Sequence, residues 1–140
     1  ANPDQEFANA AAASDAFEIQ SSQLAQDKAS AGKVKAFAAQ MIKAHTDSTA
    51  KLKTAAQNAT PVVTPQPQLS AMQQQTLDDL KSKSGAEFDT AYIKAQADAH
   101  QMTLDKLRAY AANGAVPSLK SFANEMVPVV TAHLNMAKGL

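Results

Sequence analysis

Apolar residues recur every three to four positions along most of this 140-residue chain, which is the period of an amphipathic helix. A first helix is predicted from about Asp4 to Lys28. Its inward face is Phe7, Ala10, Ala11, Ser14, Phe17, Glu18, Ser21, Leu24 and Ala25. Pro3 suits a first turn, and Asp4 is expected to cap it. The turn "ASAGK" at 29–33 follows, with Ser30 as the expected cap of a second helix from about Gly32 to Asn58. That helix faces inward through Val34, Phe37, Ala38, Met41, His45, Ser48, Leu52 and Ala55. A turn this short makes the two helices antiparallel neighbours.

The pattern then breaks. "ATPVVTPQPQLS", 59–70, holds Pro61, Pro65 and Pro67. Proline removes a backbone donor and restricts its predecessor, so this stretch is an extended connector. A short helix from Ser70 to about Lys83 is predicted next, with Met72, Thr76, Leu77 and Leu80 inward and Gly85 ending it. The whole segment is long for a bundle connection and suits a crossover that travels along the bundle.

The third long helix spans about Ala86 to Ala112, with Asp89, Ile93, Gln96, His100, Leu104, Leu107 and Ala111 inward. Phe88, Tyr92 and Tyr110 flank that face. "NG" at 113–114 is a stop signal, and Pro117 opens a fourth helix that reaches the chain end. The fourth face carries Leu119, Phe122, Met126, Val130, His133, Met136 and Leu140. Pro128 lies inside the helix and is expected to kink it. The fold class is therefore all-α: one four-helix bundle domain over 1–140, with a proline-containing crossover and a short extra helix between the second and third long helices.

Composition narrows the function. Gly is scarce at four residues, and Ala, Gln, Lys, Leu and Met favour helix. Thirteen basic residues balance thirteen acidic ones without a basic stripe, so nucleic acid is not an expected partner. No apolar run approaches the roughly 18 residues of a membrane span. With no cysteine, disulfides, thiolate metal sites and cysteine nucleophiles are excluded. The opening "ANPDQEF" reads like a mature terminus left by removal of a secretory signal, which implies a periplasmic or secreted protein.

The unusual positions are polar ones on apolar faces. His45, His100 and His133 are the chain's three histidines, and each lies on the inward face of a different helix. Glu18 adds an inward carboxylate from the remaining helix. Counted from their shared turn, Glu18 and His45 differ in height by about 5 Å. One carboxylate with two or three imidazoles suits a mononuclear transition metal, whether zinc, iron, copper or manganese, or a small ligand. The alternative is a buried polar cluster that only fixes packing, as in a structural or stress-related envelope protein.

A ferritin-type di-iron site needs Glu-x-x-His pairs. The residues three before the histidines are Ile42, Ala97 and Val130, so that site is not written here. Inward Met41, Met126 and Met136 are haem-ligand types but ordinary core filler, and there is no Cys-x-x-Cys-His. Asp89 and Tyr92, in "FDTAY", are either partners that orient His100 from behind or, as is favoured, a first-turn acid suited to the helix dipole and an amphipathic residue at the core edge. No serine nucleophile with a base and no phosphate-binding glycine loop is present, so catalysis is not expected.

Three blocks, "VKAFAAQMIKAHTDSTAKL", "SGAEFDTAYIKAQADAHQ" and "LKSFANEMVPVVTAHLNMAKGL", resemble a bacterial family of exported proteins of unknown function. Its members are described as outer-membrane or periplasmic. The resemblance implies export and a ferritin-like bundle. It places family positions at Glu18, His45, Asp89, Tyr92, His100 and His133. The family often has an acidic residue before the helix-two histidine, where this chain has Ala44.

Overall fold

The computed structural model describes residues 2–140. Five helices follow in order: α1 (Pro3–Lys28), α2 (Gly32–Gln57), α3 (Ala71–Lys81), α4 (Gly85–Asn113) and α5 (Pro117–Lys138). Cross-helix contacts give their directions. Phe7 stacks on Tyr110, Ser14 bonds Thr103 and Ser22 bonds Tyr92, so α1 and α4 are antiparallel. Lys51 meets Glu125 and Gln40 meets Met136, so α2 and α5 are antiparallel as well. The long helices therefore run up, down, down and up, and neighbours around the bundle follow the order α1, α2, α5, α4.

The crossover between α2 and α4 has to travel the bundle's full length. It is held against α1 as it goes: Gln5 Nε2 donates to the Thr64 carbonyl at 2.7 Å, and the Gln66 N–H donates to Asn9 Oδ1 at 2.9 Å. A reciprocal capping box between Ser70 and Gln73 starts α3, whose buried Leu77 and Leu80 pack it over α1 and α4. Only this C-terminal half is anchored. Met72, expected inward, is exposed, and Thr76 is half-buried.

Several end effects differ from expectation. Asn2 rather than Asp4 caps α1, its Oδ1 accepting from the N–H groups of Asp4 and Gln5. Ser30 does not cap α2. Asp89 reaches across from α4 instead: its carboxylate accepts the Ser30 and Ala31 N–H groups at 3.0 Å each and the Ser30 hydroxyl at 2.7 Å. A side chain 59 residues from Ser30 in sequence thus ties down the turn that enters α2, giving its backbone donors a charged acceptor. These bonds hold the Asp89 carboxyl below its usual range against the opposing effect of burial. Asp89→Ala is expected to cost roughly 2–4 kcal/mol in urea unfolding at pH 7. The loss should shrink as pH falls through the carboxylate range, where wild type surrenders the same contribution.

Gly85 opens α4 at φ +63°, a conformation that favours glycine. Pro128 is exposed within α5, which continues through it to Lys138. Met136 is exposed rather than inward.

The core is divided. One apolar cluster fills the end near the α4–α5 turn, with Phe7, Leu52, Leu104, Leu107, Leu119, Phe122, Met126 and Val130. A second fills the end near the α1–α2 turn, with Val34, Phe37, Met41, Leu80, Phe88 and Tyr92. Phe88 and Tyr92, expected at the edge, are fully buried there. Between the clusters, all four long helices contribute buried polar side chains: Asp15, Glu18, Ser21 and Ser22 from α1, His45 and Ser48 from α2, Gln96 and His100 from α4, and His133 from α5.

Candidate metal centre

Heptad-like spacing aims each helix inward, and the crossover sets α4 at the level where the polar positions coincide. His45, His100 and His133 are 4 %, 2 % and 8 % exposed. Their ring centroids are 5.7, 6.1 and 5.9 Å apart. One ring nitrogen from each lies within 4.8 Å of the others.

Protonation follows from the partners. His100 Nδ1 is 2.8 Å from the Gln96 carbonyl, which can only accept, so Nδ1 carries the hydrogen and Nε2 the lone pair. His45 Nδ1 is 2.8 Å from Asp15 Oδ1, and this N–H donates to the carboxylate. Thr49 Oγ1 donates to the other Asp15 oxygen at 3.2 Å. Both histidines thus have Nδ1 secured by an acceptor, while neither Nε2 has a partner. His133 Nδ1 is likewise buried without a partner. A buried polar atom left unpaired costs about 1–3 kcal/mol, so three together form an expensive arrangement.

Metal-binding histidines have the same construction: one nitrogen faces the ion, while the other donates to a carboxylate or carbonyl that fixes tautomer and orientation. Ligand nitrogens at about 2.0–2.1 Å from a tetrahedral ion lie about 3.3 Å apart. Side-chain rotations would draw these three nitrogens inward by about an ångström or so to reach that separation.

Glu18 stands differently from the expectation that made it a ligand. Its Oε2 is 3.7 Å from His100 Nδ1, behind the ring, and it lies outside the three-nitrogen cluster. Its Oε1 has no partner. Asp89 and Tyr92 do not bond His100: Asp89 holds the α1–α2 turn, and the Tyr92 hydroxyl pairs with Ser22 at 2.8 Å. Asp15 is the residue that sequence reasoning missed. Its signal was available, since Asp15, Glu18, Ser22 and Ala25 form a run of three- and four-residue steps. The alanines around it hid which edge of the helix was buried.

Charges divide within the layer. Burial pushes Glu18 up to about 7, with the His45 charge and Gln96 pulling the other way. Burial and the His45 charge depress His100 to about 4, and the same two causes depress His133 to about 4. For His45, burial is outweighed by the Asp15 hydrogen bond and the Glu18 and Asp15 charges, so its affinity for protons rises.

These shifts predict the pH profile of the metal-free chain. Between about 4 and 6.5 the unfolded state binds protons on His100 and His133 that the folded state does not, so stability rises with pH. Glu18 opposes this from 4.5 to about 7, because there the folded state holds the extra proton. Two groups outweigh one up to about 6.5. Above that, Glu18 and His45 both lose stability as pH rises. Urea midpoints measured in chelator are therefore expected to peak near neutrality, and a steady rise from mildly acidic to alkaline pH would contradict the assignment.

The sequence profile described as "Domain of unknown function (DUF4142)" matches residues 1–140. The chain belongs to the DUF4142 family. No curated protein and no solved structure matches it. DUF4142 membership assigns no activity, so the functional reading rests on the buried histidine layer. Among the described residues no helix is long and apolar enough to cross a membrane.

Proposed function

We propose that the bundle binds one late first-row transition metal ion, zinc or copper, through His45, His100 and His133. The observation that carries this reading is three buried imidazoles, each offering a ring nitrogen within 4.8 Å of the others, two of them with Nδ1 secured by an acceptor and Nε2 unpartnered. Neutral imidazoles suit zinc, copper, iron and nickel, whereas magnesium, calcium and manganese prefer oxygen. The depressed affinity of His100 and His133 for protons supports the reading, because a ligand nitrogen must be free of its proton. Asp15 and Glu18 would offset the ion's charge without ligating it.

The single crossover and the up-down-down-up order support a ferritin-like assignment of the bundle, one without the paired Glu-x-x-His ligands. The resemblance to exported bacterial proteins supports a setting outside the cytoplasm. The test is elemental analysis and zinc titration of protein prepared without a histidine tag. One equivalent, lost in His100→Ala, is the expected result. Less than about a tenth of an equivalent with no uptake on titration would remove the proposal.

A further inference from the structure

Three imidazoles leave a metal one ligand short of four, the usual number for zinc. Among the described residues no other His, Cys, Asp or Glu joins the cluster. Asp15 is committed to His45 and Thr49, and Glu18 approaches His100 from the Nδ1 side. With no fourth residue of these types at the cluster, a coordination position is left for solvent.

The packing of α2 against α5 marks the way in. Lys51 Nζ meets Glu125 Oε2 at 2.9 Å, and Gln40 Nε2 meets Met136 Sδ at 4.0 Å. The two contacts are the same number of residues apart on each helix, so they fix one antiparallel register. Between them that register sets Ala44 opposite Ala132. Each alanine directly precedes a cluster histidine, His45 on one side and His133 on the other. Ala44 is half-buried and Ala132 exposed, and His133 is the most exposed of the three histidines. At this level the two helices face each other through side chains of one methyl each.

We propose that a metal held by the three histidines keeps one exchangeable coordination position, opening between α2 and α5 at Ala44 and Ala132, and that this position takes water or a small monovalent anion. The proposal rests on the three-histidine reading. Charge favours an anion at the ion itself: with three neutral imidazoles as ligands its charge is met only by carboxylates beyond them, and burial keeps it poorly screened. The packing of α2 on α5 favours a small one.

Cobalt(II) reports this directly, since its visible bands follow coordination. The full chain is loaded with one equivalent of cobalt and titrated with azide, with perchlorate, a poorly coordinating anion, at equal ionic strength as control. A saturable change in the bands with azide alone is expected. Ala44→Leu should keep cobalt stoichiometry and the azide-free spectrum while slowing azide association about tenfold or more. Ala132→Leu, at an exposed site, provides the same test if Ala44→Leu does not fold. Full cobalt loading with bands indifferent to azide would overturn the open position and leave the three-histidine site standing. Wild-type azide rates in a folded leucine variant would overturn the route. Failure to bind cobalt at all would overturn both readings.

Discussion

Adding a slight excess of zinc to the metal-free protein should raise its melting temperature by roughly 10 °C. A ligand that binds only the folded state stabilises it by about 2.7 kcal/mol when its free concentration is a hundred times its dissociation constant. For a chain of this length each kcal/mol moves the midpoint by roughly 3–4 °C. The physical source is specific. In the metal-free layer the Nε2 atoms of His45 and His100 and the Nδ1 of His133 are buried without partners. An ion taking one nitrogen from each ring would replace unpaired lone pairs with metal bonds. Chelator should reverse the shift, and His100→Ala should abolish it. A midpoint unmoved by zinc, copper or cobalt would mean that the layer does not bind metal.

The second large effect runs against the usual direction for core mutations. His100→Leu/His133→Leu is expected to make the metal-free protein more stable at pH 7 by roughly 2–4 kcal/mol while weakening metal binding at least about a hundredfold. Leucine fills a similar volume, joins the two apolar clusters and removes two unpaired polar atoms. Asp15 keeps its partner, because His45 is left in place. The gain should widen at pH 5, where wild type pays to keep His100 and His133 neutral. If the polar layer only fixed packing, as in a structural envelope protein, the same variant would lose stability or cooperativity. Denaturant unfolding in chelator separates the two outcomes.

Much of the architecture was readable because helical periodicity and prolines are local signals. The long helices fall within a residue or two of their expected bounds, and the proline-rich stretch is the crossover. The inward positions of His45, His100 and His133 were readable for the same reason: each interrupts a row of apolar residues at helical spacing. What escaped depends on how helices are rotated against each other. In α1 the run of alanines from Ala10 to Ala13 gives little contrast between faces. The expected face therefore followed Ser14, which turns toward Thr103 of α4, and passed over Asp15, which turns toward His45 of α2. The height of Glu18 was legible, but the side of His100 it would approach was not. Asp89 was a candidate for orienting His100 from behind, yet its partners lie in the α1–α2 turn. No local pattern encodes a turn tied down from another helix.

The division of the core also bears on why such a layer persists. Each apolar cluster packs around its own end of the bundle, so the middle can carry polar groups that a continuous core would exclude. Polar layers of this kind are tolerated when every member finds a partner. Here the unpaired atoms are histidine nitrogens, together with Oε1 of Glu18 and of Gln96.

The most direct test is X-ray absorption spectroscopy on the zinc-loaded chain, prepared without a histidine tag and loaded at neutral pH. The account predicts a first shell of nitrogen and oxygen at about 2.0–2.1 Å. It also predicts outer-shell scattering from three imidazole rings, falling to one ring in the His100→Leu/His133→Leu variant if any zinc remains. Zinc bound with one imidazole or none in the unmodified chain would contradict it.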